Sequence, residues 1–383
     1  MALDIEIRRY SEEELAWWLA LHSVPVAGLG REYIEKLVDR FQGPSVWTAS
    51  KQEIIARDEY LARGADLFIE RRKQIDPEAL LKQVRATEID AFPIGDPRYP
   101  PALRHIFGPP LVLFFRGQLF EFDMMHTVAI VGTRAATPYG SRIAKDMARD
   151  LARAGIVVVS GLAYGIDSLA HWGAIEGGGR TVAVLASGCD LCYPSSNKPL
   201  FNKILDGNGA VISEFFPGVK PDKWHFPARN RIVSGISRAI VVIEAGETSG
   251  ALITANIGFE QDREVYAVPG RVDMPSSAGT NRLLVETKAR PVRNAEDVMN
   301  GLNWETTSMG GVTTVVELFG REKEVFDRLT NVPTHFDVLC HETGIGAGEL
   351  SATLTMLELA GIVVRHPGDW FARQDRRIAG PLG

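Results

Sequence analysis

Six short, unbroken Val/Ile/Ala runs recur along the middle of the chain, at residues 128–131, 156–159, 182–185, 210–213, 240–243 and 265–268, with helical patterns between most of them. Runs of this kind lack the alternation of a half-exposed strand, so each is expected to be buried on both faces. Strands separated by helices in this order predict a doubly wound, mainly parallel α/β sheet.

Ligands of such sheets bind beyond the carboxyl ends of the strands. The residues at those ends are Gly132-Thr133-Arg134, Ser160-Gly161, Ser187-Gly188, Ser213-Glu214, Glu244-Ala245-Gly246 and Pro269-Gly270, all polar or glycine-rich. The first turn leads to a helix opening at Tyr139-Gly140, and the second, Ser160-Gly161 through Gly165 and Asp167 to His171, likewise hands its strand to a helical pattern. Free N–H groups at these two helix starts, together with Arg134, predict an anion site. A dinucleotide is disfavoured, because Gly132-Thr133-Arg134 lacks the later glycines of that fingerprint and Ser160 stands where a ribose-binding acid is needed. No cofactor is expected. The planar fork of Arg134 suits a phosphodiester, the alternative being a pair with a nearby carboxylate. Gly279-Thr280-Asn281 forms a further cap able to hold phosphate.

The net charge of −6 argues against a polyanionic ligand only until it is divided along the chain. Residues 1–127 carry 16 basic and 20 acidic side chains, residues 128–300 carry 19 and 17, and residues 301–383 carry 7 and 11. A polyanion is therefore assigned to the middle segment. A single nucleic-acid strand needs a positive groove and exposed faces for its bases. Arg134, Lys198, Arg229 and Arg231 are the cations in or beside the motifs, and Tyr193 and Phe226 the nearby aromatics. Adjacent helical residues point about 100° apart, so one arginine of Arg229-Asn230-Arg231 is expected to be structural.

The flanks read differently. Residues 1–86 form a helical domain, with a capped helix over 11–21, a Val26-Ala-Gly28-Leu29-Gly30 turn and a second helix over 31–41. This is a helix-hairpin-helix outline whose glycine N–H groups hold a phosphate, or else a small packing domain. Residues 87–300 hold the sheet, preceded by a proline-rich extended lead-in. Residues 301–314 are a linker, and 315–383 a winged-helix outline with helices over 315–329, 336–342 and 349–360 and a hairpin over 362–373. That last segment is acidic, which favours protein contact or packing over duplex binding.

No run reaches bilayer length, and three cysteines cannot frame a set of disulfides, so a cytoplasmic protein is expected. Cys189 and Cys192 have only Cys340 as a further thiol, too few for a zinc site, and read as loop thiols. Asp167 and His171 share a helix face and, with Ser160, supply the residue types of a hydrolytic triad, or else hydrogen bonds that fix a helix start. A rival function is a phosphoribohydrolase-like nucleotide hydrolase with Glu244 or Glu214 as its acid. Clustered carboxylates for a two-metal site are not seen, and no metal is expected.

The ordered set Gly132-Thr133-Arg134 with Tyr139-Gly140, Ser160-Gly161 through Asp167 and His171, Gly188-Cys-Asp190 with Tyr193-Pro194, Phe226-Pro-Ala-Arg229-Asn230-Arg231, Ser249-Gly250 through Thr254, and Gly279-Thr280-Asn281 resembles the DprA (Smf) family. The resemblance implies a Rossmann-like sheet that binds single-stranded DNA, with a SAM or helix-hairpin-helix-like N-terminal domain and a C-terminal winged helix. It further implies a homodimer that protects incoming DNA and loads the RecA recombinase in natural transformation, with no catalytic residues. The DNA-binding set implied is Gly132, Thr133, Arg134, Ser160, Gly161, Gly188, Tyr193, Asn197, Lys198, Arg229, Asn230, Arg231, Ser249, Gly250, Thr254, Gly279, Thr280 and Asn281. The basic residue that related sequences often carry after the Tyr-Pro pair is Ser195 here, which leaves that contact to Lys198.

Overall fold

The computed structural model describes residues 5–118, 127–207, 209–304, 318, 320–330, 333–359, 362–366 and 368–373. Contacts divide the chain into two compact units, Met1–Met309 and Gly310–Gly383. Most of the expected linker, from residue 305 onward, lies outside the described residues.

The first unit is built on nine strands: β1 (Asp90–Pro93), β2 (Val112–Gly117), β3 (Thr127–Gly132), β4 (Val157–Ser160), β5 (Thr181–Val184), β6 (Ala210–Ser213), β7 (Ala239–Ile243), β8 (Glu264–Ala267) and β9 (Arg290–Pro291). Their order across the sheet is β1-β2-β6-β5-β4-β3-β7-β8-β9. From β6 to β9 every pairing is parallel. The lead-in, which its prolines mark only as extended, supplies β1 and β2, which pair with each other and with β6 in antiparallel fashion.

The continuous apolar runs behave as their composition requires. Along β3, Val128 and Ile130 enter one core with Ala144, Met147 and Leu151 of the helix Pro138–Arg153. Ala129 and Val131 enter the core on the opposite face, with Ile232 and Leu252. A strand with side chains buried on both faces needs helices on both sides, and the intervening sequences provide them.

The N-terminal helices belong to this same unit. Ser11 caps the helix Glu12–Ser23 through a reciprocal box with Glu14, as the sequence predicts. The helix buries Leu15, Trp18 and Leu19 in the core that also holds Phe114 and Phe115 of β2. The second helix is Arg31–Arg40. Between them Gly28 and Gly30 take φ of 79° and 82°, a conformation that favours glycine. The Gly30 N–H donates to the Val26 carbonyl at 2.7 Å, and the Arg71 guanidinium caps the Pro25 and Ala27 carbonyls. The Gly30 donor expected to hold a phosphate is thus satisfied within the turn.

In the second unit the helices Gly320–Arg328, Phe336–Thr343 and Ala347–Leu359 precede β11 (Val363–His366) and β12 (Trp370–Arg373). A short β10 (Thr334–His335), which no sequence pattern marks, pairs with β12. Val325, Leu339, Leu350, Leu354 and Phe371 form the core of this unit. The start of the expected helix over 315–329 lies outside the described residues.

Candidate nucleic-acid groove

The chain builds β4, β5 and β6 to one side of β3 and then returns to place β7 on the other. Beyond the ends of β3 and β7 the connections diverge and leave a cavity of about 470 Å³. In sheets of this kind that is where ligands lie. Gly132, Thr133, Gly161 and Asp167 line it, together with Arg134, Phe226, Arg229 and Asn230 and with Ser249, Gly250, Ile253 and Thr254 at the start of the helix Gly250–Glu260. A second recess shares Arg134, Gly161, Phe226 and Arg229 with the first and adds Tyr164, Tyr193 and Pro221. The two adjoin across these shared residues and together make up the groove.

Arg134 is exposed at the rim, its guanidinium carbon 5.3 Å from the centroid of the Phe226 ring. Phe226 also meets Tyr193, at 5.9 Å and an angle of 60° between rings. A cation resting over an aromatic ring offers a phosphate its charge, and the ring offers a base its free surface. The carboxylate pair considered for Arg134 does not form among the described residues.

Arg229, which lines the same groove, is 5% exposed. Its Nη1 donates to the Gly161 and Val184 carbonyls, the latter at 2.6 Å, and its Nε donates to Asn230 Oδ1. A Cβ on Gly161 would come within 2.0 Å of Arg229 Nη1, so this turn position requires glycine. Burial holds the Arg229 guanidinium below its ordinary pKa and pushes the Asp167 carboxyl above its own, with each charge partly offsetting the other's shift.

The helix starts differ from expectation. At Pro138–Arg153 the Thr137 N–H and hydroxyl both donate to the Glu244 carboxylate, at 2.9 and 2.6 Å. A Cβ on Gly140 would lie 2.0 Å from Glu244 Oε2. The chain's own carboxylate therefore occupies the place expected for an anion. At Ile166–Glu176 the Ile166 N–H donates to the Thr133 carbonyl, and the Gly161 N–H to Asp167 Oδ2. The helix start that faces the groove is Gly250–Glu260, capped by Ser249, with open space around Gly250.

Eight residues of the expected set leave the site. Ser160 is fully buried, its hydroxyl donating to the Ile130 carbonyl at 2.7 Å. Gly188 is packed against Asp190 and the Phe216 carbonyl. Asn197 uses its amide to hold the Leu162 and Ala163 carbonyls. Arg231 is paired with the buried Glu214, so both arginines of the Arg-Asn-Arg run are structural rather than one. Gly279 packs on the Gly246 carbonyl, Thr280 is fully buried and donates to the Ser277 carbonyl, and Asn281 clamps both backbone groups of Gly270. Lys198 is exposed with its Nζ 4.5 Å from the Phe201 ring centroid, outside the lining residues. Tyr164, half-exposed between glycines in the Gly161–Gly165 turn, is a lining residue that sequence reasoning misses.

The catalytic alternatives also resolve. His171 Nδ1 donates to Thr181 Oγ1 at 2.7 Å, and burial lowers its pKa to about 3, so it is neutral and fully enclosed. Its ring makes no hydrogen bond to Ser160 among the described residues. Glu214 is 4% exposed and paired with Arg31 and Arg231. Glu244 is 4% exposed and held by Thr137. No cluster of metal-binding side chains occurs among the described residues.

Comparison with known proteins agrees with this architecture. The family model of the DNA recombination-mediator protein A matches residues 91–303, and that of the DprA winged helix domain matches 317–369. The chain is 31% identical to Protein Smf of Synechocystis over 400 residues, covering 95% of this chain and all of that one. It is 37% identical to the DNA processing protein DprA of Bacillus subtilis over 255 residues, or 67% of this chain and 85% of its relative. Among solved structures, DprA from Streptococcus pneumoniae superposes with a TM-score of 0.64 at 32% identity, covering 76% of this chain and 98% of that one. DprA from Helicobacter pylori, described for its single-stranded DNA binding mode, gives a TM-score of 0.51 at 30% identity, over 56% and 96% of the two chains.

Proposed function

This chain belongs to the DprA family of DNA recombination mediators, and from that premise we propose that its switch-point groove holds single-stranded DNA. The observation that carries the reading is the Arg134–Phe226 pair at the rim of a groove that the start of the helix Gly250–Glu260 also lines. Phosphate meets the guanidinium and the Gly250 N–H, the Ala251 and Leu252 N–H groups being held by Ser249, and bases meet Phe226, Tyr193 and Tyr164. The site residues assigned are Gly132, Thr133, Arg134, Gly161, Tyr193, Asn230, Ser249, Gly250 and Thr254, with Phe226 and Tyr164 added and Arg229 as the buried support beneath them. The Helicobacter pylori relative, described as a single-stranded DNA binder, supports the same choice of ligand.

The reading has the protein act as a homodimer in the cytoplasm, sheltering incoming DNA and loading the RecA recombinase during transformation. No helix among the described residues is long and apolar enough to cross a membrane. No catalytic step is included, since Glu214 and Glu244, the acids a nucleotide hydrolase would use, are buried and held by other groups. Titration of a labelled oligonucleotide tests the reading: single strands bind more tightly than duplex at moderate salt, with a slope of roughly −0.7 per phosphate contact. Equal affinity for the two forms overturns it. Sedimentation of the free protein tests the dimer, and the rate at which RecA assembles on strands preloaded with the protein tests loading.

A further inference from the structure

Trp224 is 73% exposed, far more than a tryptophan kept for packing. It is nonetheless fixed in place. Its backbone N–H donates to Asp222 Oδ1 at 3.0 Å, and the next N–H, of His225, donates to the Asp222 carbonyl at 2.9 Å. Lys223 Nζ stands 5.1 Å from the indole centroid. Trp224 itself has helical dihedrals and caps the helix His225–Gly235, which carries Phe226, Arg229 and Asn230 into the groove. Residues three apart share a helix face, so the indole lies one turn from Pro227, a lining residue of the groove.

An indole presented on a capped turn, with a cation over it and water elsewhere, is suited to receive a flat, electron-poor ring. We infer that Trp224 is a stacking platform for a base of the bound strand beyond the groove, so that the path of the strand runs past Phe226 and continues over Trp224. This rests on the reading that the groove holds a single strand. Tyr164 and Tyr193, also exposed, line the recess together with Phe226, whereas Trp224 is not among the residues that line either part of the groove. Trp224 therefore adds a contact outside the groove, at the start of the helix that carries Phe226.

The test uses the full-length protein and oligothymidylates of increasing length. Short strands that fill the groove alone bind Trp224→Ala and the parent alike. Longer strands bind Trp224→Ala about five- to a hundredfold more weakly, with an unchanged salt slope, because an indole releases no counterions. Adding long strands quenches the parent's tryptophan emission. Trp224→Phe keeps most of the affinity and loses that quench. Because the side chain is exposed, both variants melt with the parent. Equal binding of long strands by Trp224→Ala, or an unaltered quench in Trp224→Phe, overturns the inference while leaving the groove reading intact. A parent that binds no single strand at any length, or only Arg134-independent binding, removes the groove reading and the platform with it.

Discussion

The Arg134 guanidinium rests 5.3 Å from the Phe226 ring centroid with no ion pair among the described residues, although the two side chains come from different strand-to-helix connections. Nothing in local folding requires this pair. Arg134→Ala is expected to weaken single-strand binding by one to two powers of ten, since a charge-assisted hydrogen bond contributes about 1.5–3 kcal/mol. The salt slope should flatten by about one contact. Arg134→Lys should recover only part, keeping charge but losing the fork. Thermal melts alongside the titrations decide the matter: early melting with parental affinity would make Arg134 a structural residue.

Gly161→Ala forces a methyl to within 2.0 Å of Arg229 Nη1. The guanidinium cannot move away without leaving the Gly161 and Val184 carbonyls. Overpacking of this kind costs about 1–3 kcal/mol, and the displaced arginine should carry the groove wall with it. Stability in urea and DNA affinity are expected to fall together. Gly250→Ala is the control, with open space around it, and should unfold like the parent.

Glu214→Gln removes the charge that Arg31 and Arg231 share, at a carboxylate 4% exposed. Leaving the largely buried Arg231 charge uncompensated costs about 3–5 kcal/mol. Equilibrium unfolding in urea measures it, and a loss under about 1 kcal/mol would show that the bridge contributes no more than an exposed pair does.

His171 gives a pH dependence with a defined sign. Its folded pKa is about 3 against 6.5 for the free side chain, so the unfolded chain takes up a proton that the folded chain refuses. The stabilising contribution is complete above pH 6.5 and is lost progressively as pH falls toward 3. His171→Asn retains a donor toward Thr181 and cannot titrate. Over that range the melting temperature of this variant should fall less steeply than the parent's, and parallel curves would refute the assignment.

Removing the second unit at Gly310 should leave the first folded, because the division between units falls there. The truncated protein is expected to bind single strands within about threefold of the full chain, an energy difference below about 1 kcal/mol. A larger loss in a folded truncation would assign the winged helix to DNA.

The parallel strands are legible in sequence because burial on both faces leaves an uninterrupted apolar signature, and β3, β4 and β7 coincide with their runs to within one or two residues. β1 and β2 are not, since prolines and a lone apolar run do not distinguish an antiparallel edge from a loop. At the site, sequence finds the turn residues that form the floor, such as Gly132 and Gly161. It misjudges those whose partners lie far along the chain. Arg231 meets Glu214, which also meets Arg31, 183 residues away in sequence. Glu244 reaches a helix start 107 residues before it. No local pattern records such pairings, so a carboxylate that fills an anion site reads as a carboxylate free to act.

The seam near residue 86, where a helical region gives way to strands, is visible in sequence but is not a line along which the protein comes apart. Trp18 and Leu19 share a core with Phe114, the His22 ring packs against Phe114 and Phe216, and the Glu214 bridge spans the seam. Helices and sheet are thus expected to unfold as one cooperative unit, so that a perturbation of the first helix should be felt as a change in the global melting of the groove. A fragment begun at residue 87 would expose the aromatic surface of β2 to solvent and leave Glu214 with only one of its two guanidinium partners. It should behave as an aggregation-prone intermediate rather than a minimal DNA-binding module.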